Sequence, residues 1–136
     1  MRAICVRQPW ASLLIEGSKH VETRGWRTHH RGPLVICASA ILSKRDERAL
    51  REAPHFREAL DGLELPRSVL LGVVEVVDVV PVEELRPELT AAELAFGDYR
   101  PGRFGWIVRK ARPLKKLVPW KGQLSLFEVP DHLVQF

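Results

Sequence analysis

The chain has 136 residues, 46% hydrophobic and 28% charged, enough for one core without staples and ordinary for a globular protein. No apolar run approaches the ~18 residues of a membrane helix, and Met1 leads straight into RAICV instead of a signal peptide's charged and apolar regions; a single cytoplasmic domain over residues 1–136, with no membrane contact, is expected. The net charge of +4 is unevenly spread, with residues 1–40 and 100–136 basic and residues 41–99 acidic, so if the two ends meet they form one positive face that attracts phosphate.

From the start of the chain, Arg2–Arg7 reads as a strand. Pro9 suits the first position of a helix on which Trp10, Leu13 and Leu14 form one buried stripe, and Gly17 ends it in a left-handed conformation. From Val21 the pattern alternates, Val21 and Thr23 facing one way and Glu22 and Arg24 the other. Residues 25–33 form a loop carrying Trp26, Arg27, His29, His30 and Arg31, closed by Gly32-Pro33. Leu34–Ala38 is a core strand. Cys5 and Cys37 lie in apolar runs and read as reduced core residues. They lack metal-ligand spacing, and His29 and His30 lack both the i, i+4 spacing and the carboxylates of a metal site, so no metal and no cofactor is expected.

Ser43, followed by Asp46 and Glu47, opens a helix that Pro54 splits, Phe56 and Leu60 belonging to the second piece. Residues 68–80, SVLLGVVEVVDVV, contain seven valines and are the strongest strand signal. Their length suits a barrel or a bent strand, with Gly72 at the bend. Strict alternation puts Glu75 on one face with Leu71, Val73, Val77 and Val79, and Asp78 on the other with Val74 and Val76. A carboxylate on an apolar face has to be paired, protonated or at a mouth. Thr90 caps a short helix through Phe96, with Glu93 at the third position of a capping box. Gly102–Arg112 is a strand alternating Phe104, Trp106 and Val108. Pro113–Pro119 reads as a linker carrying Lys115 and Lys116, Trp120-Lys121-Gly122 as a turn, and Leu124, Leu126 and Phe127 as a last strand. About five to six strands, three or four short peripheral helices and no regular βαβ alternation make an α+β, small mixed β-barrel.

RQPWA (Arg7–Ala11), then Gly17, Lys19, Glu22, Arg24 and Trp26 in the pattern Gly-x-Lys-x-x-Glu-x-Arg-x-Trp, then Arg31-Gly32 and Ala38-Ser39, resemble the ASCH domain, the activating-signal-cointegrator homology domain related to the PUA RNA-binding fold. GVVEVVD (Gly72–Asp78), the Trp106 strand and Gly122-x-Leu124 fit its later parts. The resemblance implies a PUA-like β-barrel with peripheral helices and a cleft whose floor carries Lys19, Glu22 and Arg24. It also implies RNA or DNA binding or, in a few members, hydrolysis. One branch deacetylates acetylated cytidine with a Lys, a Thr nucleophile and a strand Glu. The Lys matches Lys19 and the strand Glu matches Glu75, but Glu22 stands at the Thr position, a departure at the nucleophile.

The residues themselves leave two roles open for Lys19. Beside Glu22 it stays charged and grips a phosphate; beside other cations it has a lowered pKa and acts as base or nucleophile. Glu75 is either an acid/base group or the buried partner of Lys19 or Arg24. Trp10 reads as core, whereas Trp26 in its basic loop is a candidate for stacking on a base. The expected function is a nucleic-acid-binding module, RNA before DNA. Arg27, Arg31, Lys115, Lys116 and Lys121 would hold phosphates, while Lys19, Glu22, Arg24 and Trp26 receive a base. The alternative is a ribonuclease or a nucleoside amidohydrolase using Lys19 with Glu22 or Glu75.

Overall fold

A computed structural model describes Met1–Phe136. Six strands, β1 (Arg2–Val6), β2 (Val21–Arg24), β3 (Gly32–Ala38), β4 (Val69–Pro81), β5 (Phe104–Pro119) and β6 (Leu126–Glu128), form one sheet in the order β2-β5-β4-β3-β1-β6. Only the β1–β3 pair is parallel. The sheet curls into a half-barrel, with α1 (Trp10–Glu16), α2 (Lys44–Glu52), α3 (Phe56–Leu60), α4 (Val82–Leu85) and α5 (Ala91–Ala95) around it.

The helix ends follow local chemistry. Gly17 closes α1 at φ 101°, where only glycine is unstrained. The Ser43 hydroxyl accepts from Asp46 N–H at α2, and the Thr90 hydroxyl from Glu93 N–H at α5. Pro54 falls between α2 and α3. The start of α1 is fixed by a side chain that periodicity did not single out. Buried Gln8 accepts from Ser12 N–H (3.0 Å) through Oε1 and donates to Ser12 Oγ (2.7 Å) and the Pro66 carbonyl (2.8 Å) through Nε2. The same amide thus caps the helix and anchors it to the segment before β4. Pro81 is the last residue of β4, and α4 begins at the next residue.

The long strands depart from simple alternation. The β4–β5 register shifts between Leu70 and Gly72, Val73 and Glu75, and Val76 and Asp78. Each extra residue in a bulge turns the following side chains to the opposite face. Leu71, Val74, Val76 and Val79 therefore pack together with Ile4, Leu14, Ile36, Trp106 and Val108, while Leu70 and Val73 join Ala3, Val35, Cys37, Leu114 and Phe127 in a second cluster. Glu75 does not share a face with Leu71 and Val79. It is half-exposed, and its carboxylate pairs with Lys110 Nζ at 3.7 Å, not with Lys19 or Arg24. Gly72 is set by close approach: a Cβ there would lie 2.4 Å from the Arg112 carbonyl oxygen and 2.9 Å from the Ile15 side chain.

Pro113–Pro119 is not a linker. β4 is long enough to carry β5 on to Pro119, paired as far as Val69. Leu114 is buried there, and Lys115 and Lys116 remain exposed. The last strand starts at Leu126, and Leu124 is 94% exposed. Cys5 and Cys37 are register partners across β1 and β3, and both thiols are free.

Candidate nucleic-acid interface

Lys19 leaves α1 just past Gly17 and enters the protein. It is 1% exposed, and its Nζ donates to the Phe96 carbonyl at the end of α5 at 2.8 Å. Burial lowers its pKa, Glu22 and Glu93 act against that shift, and Arg24 adds to it. Glu93 comes from α5. Its side chain does not complete the capping box; Oε1 instead accepts from His20 N–H at 2.8 Å, and Oε2 is buried without a hydrogen-bond donor. The Tyr99 hydroxyl is also buried and unpartnered. Its pKa is raised by burial first, then by Glu93 and Glu22. One buried ammonium thus stands among two carboxylates and a neutral phenol.

Above this group lies an open cleft of about 460 Å³. Glu22, 8% exposed, forms part of its floor. Glu22 Oε2 accepts from Arg24 Nε (3.1 Å) and lies 2.9 Å from Nη2 as an ion pair, while Arg24 Nη2 donates to the Cys5 carbonyl at 2.7 Å. β6 pairs with β1 only as far as Ile4, so Arg24 takes up the strand carbonyl just beyond its reach. Arg7, Trp10, Phe96 and Arg103 complete the walls. Thr23, expected to point away from Glu22, also contributes to this cleft's lining; its hydroxyl accepts from Asp98 N–H at 3.0 Å, towards the loop after α5. Asp98 holds that loop to Arg100 and Arg103 (2.6 and 3.5 Å), and the Arg100 hydrogen bond brings its pKa down to about 2. Gly97 lies so close to the Tyr99 ring that a Cβ would stand 2.6 Å from it.

Of the sequence-predicted residues, Glu22 and Arg24 line this cleft and Lys19 lies beneath it. Arg24 also lines a second cleft of about 600 Å³, where it meets Lys121, so the two basic ends of the chain do come together. Lys115, Lys116 and Glu75 line neither cleft. Arg27 sits over the Phe104 ring (5.1 Å) and Arg31 beside Asp78 (3.6 Å). His30 is tied to the Pro33 carbonyl at 2.8 Å.

Trp26 is not a free stacking platform. It packs edge-on against Trp106 (centroids 4.9 Å, 84°), and its carbonyl accepts from Trp106 Nε1 at 3.3 Å. Trp26→Ala is accordingly expected to lower stability by about 2 kcal/mol, from lost packing and the edge-to-face contact, with RNA affinity unchanged; urea unfolding and an RNA titration of the same variant check both halves. The walls at Arg7, Trp10, Phe96 and Arg103 and the buried Glu93 and Tyr99 were not identified from sequence. Helical spacing had marked Trp10 as core, and it is in fact half-buried with an edge on Phe56 (6.4 Å). Its position beside Arg7 in RQPWA was the available signal.

Fold and site together define a PUA-like half-barrel with a charged cleft at the start of β2. The chain belongs to the ASCH-domain family, whose model matches residues 4–121. It is 33% identical over 136 residues to activating signal cointegrator 1 of Mus musculus, covering 97% of this chain and 23% of that protein. Over 91 residues it is 35% identical to activating signal cointegrator 1 of Homo sapiens, covering 62% of this chain and 15% of that protein. The chain thus spans less than a quarter of these relatives' length. The crystal structure of ASCH from Zymomonas mobilis shares the fold, with TM-score 0.61 at 15% identity over 96% of this chain and 88% of that one.

Proposed function

We propose that the chain is a nucleic-acid-binding module whose first cleft receives one nucleotide of a single strand, RNA in preference to DNA. The observation that carries this reading is the cleft's composition: Arg7, Arg24 and Arg103 beside the half-buried Trp10, around Glu22. Arginines neutralise phosphates and aromatic rings pack on bases. Glu22 Oε2 is committed to Arg24, leaving Oε1 to accept an amino or imino N–H from a base edge. The preference for RNA rests on the resemblance to the PUA RNA-binding fold. Anisotropy titration of a labelled single-stranded RNA is expected to give a log affinity that falls linearly with log salt, with a slope of about −1 to −2 for two or three phosphates. No binding at low salt, or an affinity indifferent to salt, overturns the reading.

One observation favours hydrolysis as a second reading: a buried lysine with a lowered pKa under a carboxylate is the kind of group that acts as a base. Against it, Lys19 Nζ is turned to the Phe96 carbonyl and does not line the cleft. Glu75 lines neither cleft and is paired with Lys110. Turnover of acetylated cytidine or RNA that is abolished in Glu22→Gln supports hydrolysis at this site; turnover that survives that change places it elsewhere.

A further inference from the structure

The second cleft shares two residues with the first, Cys5 and Arg24. Its remaining lining comes from Ser39, Ala40 and Ile41 just after β3, the residue before β4, and the stretch from Pro119 at the end of β5 to Ser125. The chemistry changes across Arg24. The first cleft holds two carboxylates, Glu22 and Asp98, each paired with arginine. The second has Arg24 and Lys121 as cations, no carboxylate at all, and the hydroxyls of Ser39, Ser68 and Ser125, with the Trp120 indole in its wall. Lys121 forms no ion pair, and the counter-charge of Arg24, Glu22, lines only the first cleft; a cationic lining of this kind among neutral hydroxyls fits an anion.

The wall is specified by close approach and by backbone strain. A Cβ on Gly122 would lie 2.5 Å from Cys5 Sγ, so glycine is what lets the loop come against β1. Ser68 and Ser125 adopt φ of 55° and 60°, a region that costs a non-glycine residue energy and that concentrates at ligand sites. Two of the chain's four such residues line this one cleft.

We propose that the second cleft is a phosphodiester and neighbouring-nucleotide subsite, so that the ligand is a strand crossing Arg24, with one nucleotide in each cleft. This rests on the reading of the first cleft as a nucleotide site and extends it from a single nucleotide to a dinucleotide step. Arg24 then faces the bridging phosphate from between the clefts, Lys121 supplies a second cation, and Trp120 offers a surface to the neighbouring base. A lone nucleotide engages only the first cleft and forgoes the second set of contacts.

Competition against a labelled single-stranded RNA tests it, using each ribonucleoside monophosphate, each diribonucleotide, and the best diribonucleotide with a methylphosphonate linkage. The best dinucleotide is expected to bind at least about tenfold tighter than the best mononucleotide, the scale of one stacked base with its phosphate contact. Lys121→Ala and the uncharged linkage should each remove most of that increment, while Lys121→Ala leaves mononucleotide affinity unchanged; Lys121 is exposed, so the fold is not at risk. Equal affinity for mono- and dinucleotides overturns the second subsite and leaves the first. An increment that survives both changes also overturns it, and absence of binding by either ligand class overturns both readings.

Discussion

Lys19→Met is expected to cost about 3 kcal/mol of folding stability, the scale of removing one partner from a buried charge group. Methionine keeps the stem's apolar packing but removes the Nζ group, which donates to the buried Phe96 carbonyl in either protonation state and interacts electrostatically with Glu22 and Glu93. Glu22 retains Arg24 at 2.9 Å. Glu93 does not fare as well: its Oε2 is already without a donor, so the uncompensated charge falls on it. Adding Glu93→Gln to Lys19→Met should therefore recover at least half of the loss, a coupling that urea unfolding of the two single variants and the double variant measures. Little loss in Lys19→Met alone would show that the ammonium does not compensate these carboxylates. The pH dependence has a definite sign. Burial lowers the folded pKa of Lys19 below 10.5, so between the folded value and 10.5 the unfolded chain holds a proton that the folded chain lacks. Stability from this group rises with pH through that window. The gap between wild type and Lys19→Met should widen as pH approaches 10.5, while the cysteines, present in both proteins, cancel.

Much of the scaffold was legible because its signals are local. Gly17, Ser43, Pro54 and Thr90 act through their own backbone neighbours, and the structure places helix ends at each. The valine run of β4 was legible for the same reason. The faces of that run were not, since a bulge depends on the partner strand's register and leaves no period of its own in the sequence. That one loss moved Glu75 from an imagined buried site to a half-exposed pair with Lys110. The site divides in the same way. The motif Gly-x-Lys-x-x-Glu-x-Arg placed Glu22 and Arg24 on the cleft-facing side of β2. It could not show that Lys19 turns inward, because the residues that hold it, Phe96 and Glu93, arrive from a helix more than seventy positions later. Context misplaced Trp26 and Trp10 for a related reason: Trp26 packs on Trp106, and Trp10 lines the first cleft. Loop and helix context describe what lies beside a residue in the chain, whereas Trp106 and Phe56, the rings against which they pack, come from distant elements.

Arg24→Ala is expected to lower stability by about 2 kcal/mol and to weaken RNA binding by roughly tenfold or more, the only single change at the clefts predicted to do both on this scale. The two effects have separable causes. Stability falls because one guanidinium satisfies Glu22 Oε2 and the Cys5 carbonyl together, and its removal leaves a nearly buried carboxylate and a strand carbonyl without their donor. Affinity falls because Arg24 is the cation common to both clefts. Arg24→Lys separates the two. An ammonium keeps the positive charge but lacks the planar fork that reaches two acceptors at fixed geometry. The lysine variant should recover a large part of the salt-dependent affinity and little of the stability. Parallel urea unfolding and RNA titration of the two variants read both quantities. If lysine restored stability fully, the fork would not be what joins β2 to β1. If alanine left RNA affinity intact, no strand would pass over Arg24, and the junction between the clefts would be structural only.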